Sequence, residues 1–313
     1  MRCNAKKARK VLSAATVVRN FKLGPCFYRL SLSLDGAGAK AFSNFNPGQF
    51  IEIKVSDLAI PPKDNIPEEL VDVSKRNVLL RRPFSLCDVQ CKGSKVVIDI
   101  LFRVLGAATV RMTTLKEGDK VNVIGPLGNG FSIDKSKTNA LLVAGGLGAP
   151  PLQHLASYMR ANLPDMRVVA FAGAASYQEL PFTVLIDNEE GLFIEEFSRM
   201  RVESHIATDD GSAGFKGFVT DRLEQWIKEH SPEADESIIY SCGPEPMLAN
   251  VARLAEKYNI DCQVSMESMM ACGIGLCQSC AVEANNPAGE GESVYKLCCQ
   301  DGPVFDCKDI KFE

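Results

Sequence analysis

The feature that most constrains this chain is a group of closely spaced cysteines near its C-terminal end. In Cys272-Gly-Ile-Gly-Leu-Cys277-Gln-Ser-Cys280 the spacing is C-x4-C-x2-C, and Cys298 and Cys299 follow in a later segment. A fourth cysteine from a separate segment completes the plant-type ligand pattern of a [2Fe–2S] cluster. Two glycines between the first two cysteines give the loop the backbone freedom to turn its thiolates inward. The spacing predicts an iron–sulfur site, with a structural zinc site or a disulfide framework as the alternatives.

Composition limits the classes of protein to which the chain can belong. Hydrophobic residues make up 46% and charged residues 24% of 313 residues, which is ordinary for a globular protein of two or three domains. A net charge of −4 gives no general affinity for nucleic acid or for anionic membranes. The basic N-terminal stretch 1–20 has apolar runs too short for a signal peptide, and no run is long enough to span a membrane. Twelve cysteines without a secretion signal predict a cytoplasmic protein with reduced thiols and a metal site.

The pattern of short strands in residues 1–136 predicts an antiparallel β-barrel domain. Alternating or β-branched runs mark its strands at Ala15–Leu23, Phe27–Leu34, Gln49–Val55, Lys95–Val104 and Lys120–Ile124. Two segments, Asp35–Pro47 and Asp57–Asn77, have the composition of loops.

The pattern changes to alternating strands and helices in residues 137–260, which predicts a doubly wound α/β domain. Expected strands are Asn139–Ala144, Arg167–Ala172, Ser204–Ala207 and Ser237–Tyr240, and expected helices are Leu152–Arg160, Val219–Lys228 and Glu245–Tyr258. Residues 261–313 form the cysteine-rich C-terminal domain, so the fold class is multi-domain.

A glycine turn between a buried strand and a helix marks a candidate nucleotide site. Gly145, Gly146 and Gly148 form this turn, and Pro151 stands in the first turn of the expected helix, where its missing N–H is not needed. Such a turn points backbone N–H groups and a helix N-terminus at a pyrophosphate. A tight strand–helix turn without a ligand is the alternative.

Two further strand ends belong to the same candidate site, because ligands of open α/β sheets bind at the carboxyl ends of strands. Cys242 ends one strand and is followed by Gly243 and Pro244, which makes it the candidate catalytic residue, although an inert buried thiol is the alternative. Asp209 and Asp210 follow another strand and could bind ribose or nicotinamide groups or form a solvated turn. Residues 171–176 offer no arginine for a 2′-phosphate, which favours NAD over NADP.

A candidate flavin loop lies in the first domain. Arg82 and Ser85 could hold a diphosphate, with Pro83 fixing the backbone before Phe84. The strand Leu101-Phe102-Arg103 and the turn containing Ala108 and Thr109 follow it; an exposed arginine, a core strand and an ordinary turn are the alternatives. Chemistry favours a flavin more strongly than spacing does, because nicotinamide moves a hydride, an iron–sulfur cluster moves single electrons, and a flavin does both.

Taken together, these motifs resemble the ferredoxin-reductase superfamily and, within it, the electron-transfer subunits of NAD-dependent (type B) dihydroorotate dehydrogenases. The resemblance covers the whole length of the chain. The residues that carry it are Leu80-Arg-Arg82-Pro83-Phe84-Ser85, Gly145-Gly-Leu-Gly148-Ala-Pro-Pro151-Leu152, Asp209-Asp-Gly-Ser212, Cys242-Gly-Pro-Glu-Pro-Met-Leu248, Met270-Ala-Cys272-Gly-Ile-Gly-Leu-Cys277 and Cys299-Gln-Asp-Gly-Pro-Val-Phe305.

The resemblance implies three cofactors. FAD would be held by Arg82, Pro83, Phe84, Ser85, Leu101, Phe102, Arg103, Ala108 and Thr109. NAD would bind in the α/β domain, around Gly145, Gly146, Gly148, Pro151, Asp209, Asp210, Gly243 and Pro244. The cluster ligands would be Cys272, Cys277, Cys280 and Cys299, because the fourth ligand of the family directly precedes x-Asp-Gly-Pro.

The resemblance also implies a partner, an FMN-containing catalytic subunit that oxidises dihydroorotate, in a heterotetramer with two copies of each chain. Electrons would pass from the partner through the [2Fe–2S] cluster and FAD to NAD+, in pyrimidine biosynthesis. Two other functions remain open at this point: the flavin subunit of an NAD(P)H-dependent ferredoxin or sulfide oxidoreductase, and a non-catalytic interaction protein with structural zinc.

Overall fold

The computed structural model of the protein describes residues 10–187, 191–286 and 293–312. The first nine residues of the basic N-terminal stretch therefore lie outside the described residues. From Val11 onward that stretch belongs to the first strand of a sheet.

The first domain is built on an antiparallel sheet that curls around its own hydrophobic core. Its strands are β1 Val11–Lys22, β2 Phe27–Leu34, β3 Phe50–Ile53, β4 Arg82–Ser85, β5 Asp88–Lys92, β6 Lys95–Arg103 and β7 Lys120–Leu127. They are hydrogen-bonded in the order β4-β3-β7-β1-β2-β6-β5. Alternate residues such as Leu30, Leu32 and Leu34 face the core, as a period of two requires. The prediction of an antiparallel barrel-type domain is confirmed, in the form of a curled sheet.

Short helices replace much of what the sequence predicted as loop in this domain. They are α1 Gly36–Phe42, α2 Val71–Ser74 and α3 Ala107–Met112. The prediction of a loop at Asp35–Pro47 is wrong, because α1 buries Phe42 and Ala39 in the barrel core. Two glycines in Gly36–Phe42 lower its helix propensity, and tertiary packing overrides that preference. The segment Asp57–Asn77 contains two single 3-10 turns and α2.

The remaining strands are β8 Asn139–Gly145, β9 Arg167–Ala174, β10 Val184–Asp187, β11 Gly191–Ile194, β12 Glu203–Thr208, β13 Phe215–Lys216, β14 Ser237–Gly243, β15 Asp261–Met266, β16 Ala281–Ala284, β17 Val294–Leu297 and β18 Val304–Asp306. The remaining helices are α4 Ala149–Asn162, α5 Glu195–Ser198, α6 Val219–His230 and α7 Glu245–Tyr258.

The second domain is a doubly wound α/β sheet, as predicted. Its strand order is β13-β12-β9-β8-β14-β15-β18, and the pairs are parallel except for β15 with β18. The central strand β8 is buried on both faces. Leu141 and Val143 share a core with α6 and α7, whereas Leu142 shares a core with Leu152 of α4. The continuous apolar run of β8 reflects this burial on both faces.

The cysteine-rich segment leaves and re-enters this sheet at neighbouring strands. β15 ends at Met266 and β18 begins at Val304, and the two strands pair with each other. The small sheet of β16 and β17 lies between them in sequence. Phe50 and Leu127 of the first sheet share one hydrophobic core with Cys280 and the second sheet. This shared core joins the three parts of the chain.

In the part of the chain that the structure describes, no helix is both long enough and apolar enough to cross a membrane.

The turn between β8 and α4 provides a test of the packing. A Cβ atom on Gly148 would collide with the carbonyl oxygen of Cys242, and backbone cannot rotate away as a side chain can. We expect Gly148→Ala to lower the free energy of unfolding by about 3 kcal/mol or more, as severe overpacking does. Chemical denaturation followed by circular dichroism measures the difference.

Gly24→Ala is the matched control, because no atom lies within 4 Å of its Cβ position. It should change stability by less than about 0.5 kcal/mol. Equal stability of the two variants would show that the close approach at Gly148 is wrong.

Candidate functional site

Three cavities lie along the junction of the two sheets, and Leu147 lines all of them. The strand-end cavity, about 530 Å³, lies at the carboxyl ends of the parallel strands, between Gly145 and Asp209. The barrel cavity, about 570 Å³, lies over β4, the end of β6 and the start of α3. The junction cavity, about 420 Å³, lies between β4 and the segment 265–270. Because one side chain borders all three, groups bound in neighbouring cavities would lie close together.

The strand-end cavity contains part of the predicted nucleotide set. Gly145, Gly146, Asp209 and Pro244 line it. The other members support the walls: Gly148 packs on the Cys242 carbonyl, Pro151 is buried in the first turn of α4, and Gly243 packs on Gly145 with φ +157°. Asp210 accepts hydrogen bonds from the N–H and hydroxyl of Ser212, at 2.9 and 2.6 Å, so it stabilises its own turn.

The charge of the strand-end cavity is mainly negative. Glu179, Asp209 and Glu267 line it together with one cation, Arg103. Although Glu267 is open to solvent on one side, loss of hydration against the surrounding protein raises the pKa of its carboxyl. An additional phosphate on a ribose would meet this negative lining, which favours an NAD-type over an NADP-type nucleotide.

Arg103 connects the strand-end cavity to the barrel cavity, since it lines both. One of its terminal nitrogens lies 2.7 Å from Glu179 of the second domain. Its guanidinium also lies over the ring of Phe27, 5.8 Å from the centroid. Arg103 therefore acts as a bridge between domains as well as a cavity wall.

The barrel cavity brings all the predicted flavin residues together: Arg82, Pro83, Phe84, Ser85, Leu101, Phe102, Arg103, Ala108 and Thr109. Phe84 and Phe102 meet edge to face, with ring centroids 6.4 Å apart. The Thr109 hydroxyl accepts hydrogen bonds from the N–H groups of Leu105 and Gly106, at 2.9 and 3.2 Å. Thr109 thus shapes the turn before α3, a role that the motif alone did not reveal.

The junction cavity contains Cys242, the candidate catalytic residue. Its side chain is 4% exposed at the end of β14. Burial raises the pKa of the Cys242 thiol above its ordinary value, and nearby Glu267 raises it further. Cys242 is therefore a neutral thiol at neutral pH, which can pack against a bound ring but is a weak nucleophile.

The cysteine-rich segment brings the four predicted cluster ligands together as two contacting pairs. Cys277 lies beside Cys272, with its sulfur 3.1 Å from the Ser279 hydroxyl, and Cys299 lies beside Cys280. The Cys272 sulfur also accepts the backbone N–H groups of residues 276 and 277, at 3.3 and 3.4 Å. Such bonds to sulfur stabilise a thiolate. In the described ranges no three side chains converge closely enough to hold a single metal ion.

The two adjacent cysteines of the fourth-ligand segment face different surroundings. Cys298 is fully buried, with its thiol near both Ser268 and Cys280. The Cys280 sulfur accepts the Cys299 N–H at 3.5 Å, and Cys299 also lies near the backbone of Gly275. Three thiols on the glycine loop and one from the later segment suit a [2Fe–2S] cluster, and the contact to the Cys280 sulfur favours Cys299 as the fourth.

Sequence reasoning missed one residue beside this segment. Glu52 of β3 is 1% exposed, and neither carboxylate oxygen has a hydrogen-bond partner among the described residues. A Cβ on Gly273 would lie too close to the Glu52 Oε1 atom, so the carboxyl group packs directly on the cluster loop. An acidic residue inside the apolar strand Phe50–Ile53 was the only available signal.

The comparisons with known proteins agree with this arrangement. Residues 267–311 match the family model of the iron–sulfur cluster binding domain of dihydroorotate dehydrogenase B. The chain is 35% identical over 298 residues to the dihydroorotate dehydrogenase B (NAD(+)) electron transfer subunit of Geobacillus thermodenitrificans, covering 94% of this chain and 96% of that one. It is 36% identical to the corresponding subunit of Bacillus caldolyticus, covering 84% and 86%.

Two solved structures show the same fold at lower identity. An NADH-dependent reduced ferredoxin-NADP oxidoreductase aligns with a TM-score of 0.70 and 23% identity, over 95% of this chain and 90% of that one. The ferredoxin reductase in carbazole 1,9a-dioxygenase aligns with a TM-score of 0.59 and 18% identity, over 81% and 68%.

The state of Cys242 can be tested by alkylation. We expect iodoacetamide at pH 8 to leave Cys242 unmodified in the folded protein, because the thiol is buried and its pKa is raised. The exposed Cys91 of β5 should react and serves as the internal control. Peptide mass spectrometry measures both, and comparable rates at the two positions would contradict the described burial of Cys242.

Proposed function

The chain belongs to the family of electron-transfer subunits of NAD(+)-dependent dihydroorotate dehydrogenase B, and from that premise we propose how its residues carry electrons between a partner subunit and NAD. The observation that carries the proposal is that Leu147 borders the strand-end cavity, the barrel cavity and the junction cavity, and that the segment 265–270 lining the junction cavity leads into the cysteine loop.

The cofactors of this function are FAD, a [2Fe–2S] cluster and NAD, and the flavin supplies the chemistry that exchanges a hydride with nicotinamide and single electrons with the cluster. The residues of the protein bind and orient these groups. In the barrel cavity, Arg82 and Ser85 would hold the diphosphate of FAD, and Phe84 would pack beside the flavin ring. Arg82 is already fixed, since it donates to the carbonyl groups of Leu80 and Arg81 at 2.9 and 3.0 Å.

In the strand-end cavity, Gly145 and Gly146 would allow the pyrophosphate of NAD to approach the backbone closely. Asp209 would bind ribose hydroxyls, while Glu179 and Glu267 would disfavour a 2′-phosphate. Cys242, as a neutral thiol in the junction cavity, would pack where the flavin and nicotinamide rings approach each other and exclude water there.

The cluster ligands in this proposal are Cys272, Cys277, Cys280 and Cys299. The backbone contacts that hold Cys277 beside Cys272 and Cys299 beside Cys280 support this set, and the Cys299 N–H contact to the Cys280 sulfur favours Cys299 as the fourth ligand. The ferredoxin oxidoreductase alternative shares the fold only at 23% identity, and the family model at residues 267–311 describes an iron–sulfur and not a zinc domain.

The partner would dock on the exposed apolar rim of the cluster loop. Met269 is 88% and Leu276 78% exposed, and Ile274 between them is also exposed. Large apolar side chains grouped beside a redox site are typical of an interaction surface. We assign this rim to an FMN-containing catalytic subunit, in a complex with two copies of each chain.

A cytoplasmic location without binding to membranes or nucleic acid follows from the cysteine content and the net charge of −4.

The ligand assignment has a direct test. Anaerobically purified native protein should contain one flavin and about two irons per chain. Cys298→Ser should keep both, because Cys299 and not Cys298 is the proposed fourth ligand. Cys299→Ser should lose most of the iron, because three thiolates hold a [2Fe–2S] cluster poorly. Iron and sulfide analysis with visible absorption measures the result.

The reverse outcome, with iron lost only in Cys298→Ser, would make Cys298 the fourth ligand. A native protein that contains zinc and no flavin would overturn the proposed function.

The docking rim can be tested with charge substitutions. We expect the double variant Met269→Glu with Leu276→Glu to weaken binding of the catalytic subunit by at least tenfold. Each substitution would bury a negative charge in an apolar contact with the partner. Ile186→Glu, on the separate sheet of β10 and β11, is the control for an equally exposed apolar side chain. Analytical ultracentrifugation of co-expressed subunits measures the affinity, and equal weakening by the control variant would disprove the location of the rim.

A further inference from the structure

Glu52 lies at the point where the strand paired with the flavin loop meets the cluster loop. In β3, Ile51 and Ile53 face the barrel core, so Phe50 and Glu52 face the opposite side. There Phe50 joins the core shared with the second sheet, and Glu52 packs against Gly273. Its strand neighbour on the flavin side is Pro83 of β4. Glu52 therefore has the flavin loop on one side and the cluster loop on the other.

The carboxyl group of Glu52 is not neutralised by a direct ion pair in the described structure. Arg81 and Arg82 are the cations whose charges lower the pKa of Glu52, against the larger effect of its burial. Arg81 donates to the backbone carbonyl and side chain of Asn122, and Arg82 donates to two backbone carbonyl groups of its own loop. Both carboxylate oxygens are left without hydrogen bonds.

Such burial is unfavourable, and an apolar residue would fit the pattern of the strand. A buried carboxyl group without hydrogen bonds is unfavourable because it loses hydration that no protein group replaces. The neighbours Phe50, Ile51 and Ile53 are all buried hydrophobic residues, so an isoleucine or leucine at position 52 would stabilise the same strand. Strongly perturbed carboxyl groups of this kind are concentrated at functional sites.

The contact also restricts the cluster loop. Gly273 has φ +64°, and a side chain there would collide with the Glu52 carboxyl group. Gly273 directly follows Cys272, so Glu52 packs against the backbone that orients the first predicted ligand. A charge at this place would act on the cluster through buried protein, where salt screens it little.

We propose that Glu52 is a positioning residue for electron transfer, whose buried carboxylate lowers the reduction potential of the cluster held by the neighbouring loop. This inference rests on the proposed function, because it requires a cluster on the four cysteines. A negative charge beside the loop would disfavour an added electron on a cluster held there, and this would lower the reduction potential of its one-electron couple without making or breaking a bond.

The test compares charge variants in the intact, anaerobic protein with its cofactors. Burial raises the pKa of Glu52 to about 7, so the comparison is made at pH 9, well above that value. At pH 9, Glu52→Gln should shift the equilibrium toward reduced cluster by about tenfold, as expected for the loss of one nearby buried charge. For a one-electron couple this is a rise of about 59 mV. A redox titration followed by electron paramagnetic resonance measures it.

Two variants separate charge from packing. Glu52→Asp keeps the charge and should stay within about threefold of the native equilibrium, so it rescues the effect. Glu117→Gln removes the charge of an exposed carboxylate in the first domain and should leave the potential unchanged. Glu52→Met provides a second neutral side chain in case the glutamine variant is poorly folded.

The outcomes are decisive in each case. An unchanged potential in Glu52→Gln, or an equal shift in Glu52→Asp, would overturn the inference. Loss of iron from both neutral variants but not from Glu52→Asp would show that the charge is needed for assembly and would also overturn the tuning role. A native protein without iron and sulfide would instead overturn the proposed function, and the inference with it.

Discussion

The close packing of the glycine turn 145–148 against the end of β14 is the contact on which the rest of the site depends. Gly148 approaches the Cys242 carbonyl so closely that no other residue fits, and Gly145 is packed in the same way by Pro244 and Met247. Because the turn is pressed against this strand, Leu147 projects to the place where the three cavities meet. A looser turn would move the strand-end cavity away from the barrel cavity. The short distances that electron and hydride transfer between bound groups require would then be lost.

The same sheet also supports the cysteine-rich segment. β15 leads into that segment and β18 leads out of it. The two strands pair Gln263 with Asp306, Val264 with Phe305 and Ser265 with Val304. A loop whose two ends are fixed to one sheet loses little entropy when its thiolates gather around a cluster. The buried Cys280 and Cys299 extend this support, because they belong to the hydrophobic core that Phe50 of the first sheet completes.

Periodicity predicted most of the fold, and the motifs picked out residues that line the barrel and strand-end cavities. The alternating runs located five of the seven strands of the first sheet and missed β4 and β5. The apolar run Asn139–Ala144 located β8 because a strand buried on both faces has no polar side. Local pattern could not predict α1, since the glycines of Gly36–Phe42 disfavour a helix and only the burial of Phe42 stabilises it. Nor could it predict Glu52, which is buried by Gly273, a residue far away in sequence.

The bridge between Arg103 and Glu179 explains how two domains with separate cores can form one site. The pair is partly exposed, so its contribution to stability is modest, at most about 1 kcal/mol. Its importance is geometric. Arg103 ends β6, which lines the barrel cavity, and Glu179 follows β9 of the second domain. The shared core around Phe50 lies on the other side of the junction and contains Cys280 and Cys299. The two sides are therefore joined differently, by an ion pair beside the strand-end cavity and by a hydrophobic core beside the cysteine-rich segment.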